Sequence, residues 1–175
     1  SNASQRGDFP DPSSLYFPIR ANATSTKGSG MSLKVSAALK AQVAQAAEAA
    51  FPEECCGLLL GPIPNGFEKP GRAVTADEAR PLPNGWESAA RTHRYAVDPK
   101  FLMRVEQELS GTGRGIVGIY HSHPSVPAWP SPFDLERAWP CYSYWIVCVR
   151  EGKAVGSRSW MRSENGENFI EEEIL

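Results

Sequence analysis

Residues 115–124 read Gly-Ile-Val-Gly-Ile-Tyr-His-Ser-His-Pro, an apolar run that ends in two histidines and a proline. An apolar run of this length predicts a buried β-strand, and side chains along a strand point to the same face at every second residue. If the strand continues through the motif, His121 and His123 project to one side, where their two imidazoles can share a metal ion. Pro124 lacks a backbone N–H and marks the end of the strand.

A carboxylate follows on a second predicted element. Six residues separate Pro124 from the segment Ser131-Pro132-Phe133-Asp134. Ser131 is a favourable N-cap and Pro132 a favourable first position, so this segment predicts a helix through about residue 138 with Asp134 in its first turn. The helix dipole favours a negative charge there. Two histidines, one carboxylate and a water form the ligand set of a catalytic zinc rather than of a closed structural site.

A zinc hydrolase also needs a group that accepts the proton of the attacking water. Residues 52–57 read Pro-Glu-Glu-Cys-Cys-Gly and lie where a predicted helix, capped by Ser36 and closed by Pro52, meets a predicted buried strand at 56–60. A carboxylate beside an apolar strand suits this role, although both glutamates also fit the solvated end of a helix. The residues alone leave Glu53 and Glu54 as alternatives.

The remaining chain predicts a sheet with a few helices. Asp98 and Pro99 begin a helix with an apolar face. The further predicted strands are 72–79, 92–97, 142–149 and 154–162, and residues 169–175 form either a last edge strand or a short helix. Strands and helices mix without strict alternation. We therefore expect an α/β fold with a curved, mixed β-sheet flanked by helices.

The first thirty residues differ in composition from the rest of the chain. Ser, Thr, Asn, Gly and Pro fill 16 of these positions, and such a segment buries too little apolar surface to offset the entropy of ordering it. We expect a flexible tail over residues 1–30, of which Ser1-Asn2-Ala3 resembles a cloning remnant, and one domain over residues 31–175. The apolar Leu15-Tyr16-Phe17 leaves open that the tail docks on the domain as a strap.

Composition argues against several classes of protein. The chain carries 18 Lys+Arg against 20 Asp+Glu without a basic cluster, which argues against nucleic-acid binding. It has neither a run of about 20 apolar residues, as a membrane helix requires, nor a secretory signal. The four cysteines form no C-x-x-C pair and lie among apolar neighbours, which is typical of core residues in a reducing compartment. We expect a cytoplasmic protein, monomeric or homodimeric.

Taken together, Pro-x-Glu-x-Cys-Gly and the downstream His-x-His-Pro-x6-Ser-x2-Asp resemble the JAMM (MPN+) metalloproteases. The similarity covers about residues 33–175 and is greatest to the bacterial branch that acts on ubiquitin-like sulfur-carrier proteins. It implies a single MPN domain with a cytidine-deaminase-like fold, and zinc held by His121, His123 and Asp134. It also implies that Glu54, rather than Glu53, is the general base, and that Ser131 donates a hydrogen bond to the oxyanion.

The resemblance implies a zinc-dependent peptidase that cleaves at the C-terminus of a ubiquitin-like sulfur-carrier protein and releases an amino acid such as cysteine. Two alternatives stay open: an isopeptidase that removes a ubiquitin-like modifier from lysine, and an interaction module that does not hydrolyse its partner. Trp129 lies in the loop between the ligands and is the predicted substrate contact. We expect the substrate tail to pair, as an added strand, with residues 91–97.

Overall fold

The computed structural model describes residues 23–24, 30–63 and 73–175. Within these ranges the chain forms nine strands and three α-helices. The strands are β1 (Ala23–Thr24), β2 (Ser32–Val35), β3 (Cys56–Pro62), β4 (Ala73–Ala76), β5 (Glu78–Leu82), β6 (Arg114–Pro124), β7 (Ser143–Arg150), β8 (Lys153–Arg162) and β9 (Phe169–Ile174). The helices are α1 (Ala37–Ala50), α2 (Pro99–Leu109) and α3 (Pro132–Arg137). None of these helices is long and apolar enough to cross a membrane.

The strands form one mixed sheet in the order β4-β2-β9-β8-β7-β6-β3-β5, with β1 beside β9. The sheet contains parallel pairs, such as β6 with β7, and antiparallel pairs, such as β3 with β6. Strands β4 and β5 lie at opposite ends of this order, yet only Asp77 separates them in the chain. The Asp77 amide donates to the carbonyl oxygen of Leu60 on β3 at 3.0 Å. The sheet therefore curves until its two ends meet.

Two apolar cores lie on the two faces of the sheet. One core contains Leu39 and Val43 of α1 together with Tyr120 of β6. The other contains Leu102 of α2 together with Ile119 of β6. Each core excludes water from one face of the sheet, so the central strands are almost fully buried. For this reason their sequences are continuous apolar runs rather than alternating ones.

A bulge in β6 sets the face on which the histidines lie. Leu59 pairs with Gly118 and Leu60 with Ile116, which leaves Val117 as an extra residue. A bulge shifts the alternation of side chains by one position. Ile116 and Ile119 consequently share the core that contains α2, whereas Val117 and Tyr120 face α1. The predicted strand at 115–120 is confirmed and continues through Pro124, and the bulge within it was not predicted.

The predicted helices and most strands are confirmed. The Ser36 hydroxyl accepts a hydrogen bond from the Leu39 amide at 3.1 Å, and the Asp98 carboxylate accepts one from the Lys100 amide at 2.9 Å. Helix α3 begins at Pro132 as the Ser-Pro pair predicts. Strands β3, β7 and β8 cover the predicted apolar segments. Local capping and patterning were sufficient for these elements.

Three predicted elements were wrong in part. Residues 73–79 are not one strand, because β4 ends before Asp77 and β5 begins after it. Residues 92–97 form no strand. There the Asn84 side chain donates to the Arg94 carbonyl and accepts from the Ala96 amide, which occupies the backbone groups that a ladder would need. Strand β9 is not an edge, since it lies between β2 and β8. The predicted docking edge at 91–97 therefore does not exist.

The cysteines are only partly core residues. Cys56 and Cys148 are buried, as predicted, while Cys55 and Cys141 are half-buried. All four are free thiols. The flexible tail was predicted over residues 1–30, and the docking strap over residues 15–17. Apart from residues 23–24 and 30, these positions lie outside the described part of the chain.

Candidate metal centre

Strand β6 and helix α3 bring the three candidate ligand side chains together. His121 and His123 point to the same face of β6, and their Nε2 atoms lie 3.1 Å apart. Asp134, in the first turn of α3, has Oδ1 3.5 Å from His121 Nε2 and Oδ2 3.8 Å from His123 Nε2. All three residues are buried. The two elements thus place two nitrogen ligands and one oxygen ligand around a common point.

The spacing of these atoms fits one small metal ion. Zinc bonds of about 2.0–2.1 Å in a tetrahedral arrangement place neighbouring ligand atoms about 3.3 Å apart. The observed separations of 3.1, 3.5 and 3.8 Å bracket this distance. Three protein ligands leave a fourth position for water or substrate, which is the composition of catalytic zinc sites.

The histidines are held in the form that binds metal. His123 Nδ1 lies 2.9 Å from the Pro127 carbonyl oxygen, which can only accept, so Nδ1 carries the proton and Nε2 is left with its lone pair. The His121 ring stacks on Tyr95 at 4.3 Å between ring centres. Burial lowers the pKa of His121 to about 3, so its imidazole is neutral at physiological pH. A neutral imidazole is the metal-binding form.

Asp134 is fixed by a reciprocal cap with Ser131. The Ser131 hydroxyl and amide donate to Asp134 Oδ2 at 2.7 and 2.6 Å, and the Asp134 amide donates to the Ser131 hydroxyl at 3.1 Å. Burial by itself raises the pKa of Asp134, but the two histidines and the Ser131 hydrogen bonds outweigh it and lower the pKa. The carboxylate is therefore ionised and its orientation is set by the start of the helix.

Glu54 lies beside this centre because of the antiparallel register of β3 and β6. Cys56 pairs with His121, and the Ser122 amide donates to the Cys55 carbonyl oxygen at 3.1 Å. Continuing the register by one residue sets Glu54 opposite His123, and opposite residues share a face of the sheet. Glu54 is only 6% exposed.

The surroundings of Glu54 favour its protonated form. Burial, reinforced by the negative charge of Asp134, raises the pKa of Glu54 to about 8, against an opposing effect of the Arg94 charge. Perturbed carboxylates of this kind cluster at functional sites. Glu53, the alternative from the sequence, is only half-buried.

The side chain of Asn84 connects the loop at 84–96 to the site, a role that the sequence did not predict. Besides its bonds to residues 94 and 96, the Asn84 side chain donates to the Glu54 carbonyl at 3.0 Å and accepts from the Trp86 amide at 3.0 Å. This one side-chain amide therefore connects the loop at 84–96 to Glu54, the candidate base. The Pro-Asn-Gly sequence at 83–85 predicts a turn but gives no sign of these long-range bonds.

Two tryptophans near the centre pack against other side chains. Trp129 packs on Trp160 at 4.9 Å between ring centres, and the Arg158 guanidinium lies 4.7 Å from the Trp129 ring centre. Trp86 meets Phe133 of α3 edge-on at 5.2 Å. The substrate contact of Trp129 stays a prediction, and its observed neighbours are core and surface side chains.

Comparison with known proteins gives one family and several relatives. The family model described as prokaryotic homologs of the JAB domain matches residues 36–163. A protein of Thermus thermophilus named "Probable TtuB-protein conjugate cleaving protease" is 41% identical over 58 residues, which are 33% of this chain and 38% of that protein. A "CysO-cysteine peptidase" of Mycobacterium bovis is 30% identical over 101 residues, 57% of this chain and 62% of that protein.

Among solved structures, the solution structure of protein DSY2949 from Desulfitobacterium hafniense is similar with a TM-score of 0.62 at 28% identity. The similarity covers 83% of this chain and 91% of that one. The matched segments of the two named relatives above span only 38% and 62% of their own lengths.

Proposed function

This chain belongs to the family of prokaryotic homologs of the JAB domain, and from that premise we propose that it is a zinc-dependent peptidase acting at the C-terminus of a ubiquitin-like sulfur-carrier protein. The observation that carries the proposal is the buried cluster of two histidines and one aspartate, with Glu54 on the same face of the sheet. An open metal position beside a buried carboxyl group serves hydrolysis, whereas a partner-binding surface needs neither.

The ligands in this proposal are His121, His123 and Asp134. A bound zinc ion supplies Lewis-acid chemistry, since it lowers the pKa of a bound water to about 7 and polarises a carbonyl group. In its ionised form, Glu54 accepts the proton of the water as the water oxygen attacks the carbonyl carbon. It then delivers that proton to the leaving amine nitrogen as the C–N bond breaks. One carboxyl group thus acts first as base and then as acid.

Ser131 is proposed to donate its hydroxyl hydrogen to the carbonyl oxygen of the substrate as negative charge develops there. In the structure this hydrogen is donated to Asp134 Oδ2, so the hydroxyl must rotate toward the substrate during the reaction. Removing a donor of this kind from other hydrolases costs about 3–4 kcal/mol of transition-state stabilisation.

The substitution Glu54→Gln tests the proposed base, with Glu53→Gln as the matched control. We expect Glu54→Gln to retain zinc, measured by metal analysis, while turnover falls by roughly 10²–10⁴-fold. Glu53→Gln should leave both unchanged. Retained turnover in Glu54→Gln would remove this residue from the mechanism.

The substrate class is tested with a panel of small ubiquitin-like carriers that each bear one extra C-terminal residue. We expect mass spectrometry to show the loss of that residue, and a chelator to prevent it. If every carrier stays intact, the interaction module is favoured instead.

The isopeptidase alternative rests on the name of the Thermus relative, which describes cleavage of a protein conjugate. A carrier joined to a lysine side chain is the matching substrate. If it is cleaved faster than the carriers with one extra residue, the substrate is a conjugate rather than a C-terminally extended carrier.

A further inference from the structure

Two arginines at the rim of the metal centre have no carboxylate partner in the described part of the chain. The Arg137 guanidinium lies 4.2 Å from the Phe133 ring centre and 5.0 Å from that of Trp86. The Arg94 guanidinium lies 4.8 Å from the same Phe133 ring centre. By contrast, Arg80, Arg114 and Arg158 each form an ion pair with an acidic side chain.

Stacking on aromatic rings orients these guanidinium groups and leaves most of their N–H edges available. A guanidinium that stacks uses its flat face, while its donors lie in the plane of the group. In the described residues, Arg94 donates one hydrogen bond, to the His93 carbonyl oxygen at 2.7 Å. Oriented guanidinium donors without an acidic partner are suited to a carboxylate, which they bind through paired hydrogen bonds.

Both arginines are tied to the reacting groups. Arg137 follows Asp134 by three residues on α3 and therefore lies on the same side of the helix. Arg94 precedes Tyr95, whose ring stacks on His121, and its charge acts on Glu54. The two cations thus lie near the centre on two different elements, Arg137 on α3 and Arg94 in the loop at 84–96.

A small cavity lies between Arg137 and Asp134, and Phe133, on whose ring both arginines stack, also lines it. It has a volume of about 70 Å³, and Asp134 and Arg137 line it together with apolar side chains that include Tyr95, Val97 and Ile119. The cavity is large enough for a short side chain.

We propose that this cavity, with Arg94 and Arg137, is the subsite for the residue that the enzyme releases, holding its short side chain and its free α-carboxylate. The inference rests on the proposed function and narrows its substrate class. In a C-terminally extended carrier the leaving nitrogen is bonded to the α-carbon that bears the free carboxylate. In a lysine-linked conjugate the leaving nitrogen is bonded to the methylene chain of lysine, and no carboxylate stands at this position. The subsite therefore selects removal of one C-terminal residue over cleavage of a lysine-linked conjugate.

The first test is binding, because it does not depend on turnover. The tripeptide Gly-Gly-Ala and its C-terminal amide are titrated into zinc-loaded Glu54→Gln protein, and the dissociation constants are measured by NMR. We expect the free acid to bind about tenfold more tightly than the amide, as for a charge-assisted hydrogen bond at a partly exposed site. Arg94→Ala or Arg137→Ala should each reduce this preference, and Arg137→Lys should restore part of it.

Arg104→Ala is the matched control. Arg104 also stacks on an aromatic ring, that of Phe101 at 5.7 Å, but it lies on the exposed side of α2. We expect it to leave the preference unchanged. Equal binding of acid and amide overturns the proposal. So does a preference for the acid that persists in both Arg94→Ala and Arg137→Ala, since the carboxylate would then bind the metal instead.

The second test separates this proposal from the proposed function. For a carrier with one extra residue, the ratio of kcat/KM for the free acid over the C-terminal amide is expected to fall in Arg137→Ala, with the amide rate unchanged. Equal losses for both substrates would make Arg137 a packing residue and overturn the subsite. If neither substrate is cleaved, the proposed function fails, while the peptide-binding result still decides whether the subsite exists.

Discussion

At the scale of single residues, Glu54 shows how its surroundings set the chemistry of a side chain. In the sequence it is one of two adjacent glutamates, and only the resemblance to a known motif separates them. In the structure it is almost fully buried on the face that holds the candidate metal ligands, and burial raises its pKa to about 8. A group that exchanges a proton near neutral pH is suited to act as both base and acid.

This raised pKa predicts how the stability of the metal-free protein depends on pH. The folded pKa of about 8 exceeds the ordinary value of 4.5, so the folded state holds this proton more tightly and stability is lost as the pH rises toward 8. The pKa of His121 is lowered from its ordinary value of 6.5, so this residue makes stability rise with pH. That contribution is complete by about pH 6.5 and does not affect the higher range. Between pH 6.5 and 8 we expect the free energy of unfolding to fall by about 2 kcal/mol.

Urea unfolding in the presence of a chelator measures this change. Glu54→Gln removes the titrating group and should give a flat profile over the same pH window, whereas Glu53→Gln should keep the slope. A slope that survives in Glu54→Gln would assign the effect to another group.

At the scale of elements, helix α3 combines a structural and a functional task in its first turn. Ser131 caps the helix, and the reciprocal hydrogen bonds between Ser131 and Asp134 orient the candidate metal ligand. The local sequence determines this arrangement, since a capping box depends only on residues three positions apart. The same bonds explain why one substitution should affect both stability and metal binding.

Ser131→Ala is expected to cost about 1 kcal/mol of stability through the lost cap. It should also weaken zinc binding and reduce turnover, because Asp134 loses its orienting partner and the substrate loses a donor. Ser36→Ala is the matched control, since Ser36 caps α1 in the same way but lies away from the metal centre. Thermal unfolding and a zinc competition assay measure the two effects. Equal turnover in the two variants would limit Ser131 to its capping role.

At the scale of the whole molecule, the closure of the sheet positions β3 next to both β6 and β4. A Cβ atom at Gly61 of β3 would overlap the carbonyl oxygen of Thr75 on β4. Only glycine allows the two backbones to approach in this way. Glu54 precedes the first residue of this strand by two positions, so the closed sheet and the candidate site depend on one element.

Gly61→Ala is therefore expected to destabilise the protein by roughly 2–4 kcal/mol, because backbone atoms must move to make room. Gly156→Ala serves as the control, since a Cβ atom at this position of β8 meets no atom within 4 Å. Chemical denaturation of both variants gives the comparison. Similar stabilities would show that β3 and β4 separate without cost.

The sequence by itself determined the features that depend on near neighbours. These are the His-x-His spacing on a strand, the cap and carboxylate of α3, and the apolar runs that became β3, β6 and β7. Side-chain alternation and helix capping act over two to four residues, so a single segment contains all the information that they need.

Only the tertiary structure decided the features that join distant segments. The bulge at Val117 sets which face of β6 carries the histidines, and the register with β3 sets Glu54 rather than Glu53 beside them. The bonds of Asn84 replace a predicted strand with a loop, and the rings of Phe133 and Trp86 orient two arginines. Each of these depends on a contact between residues far apart in the chain, which no local pattern encodes.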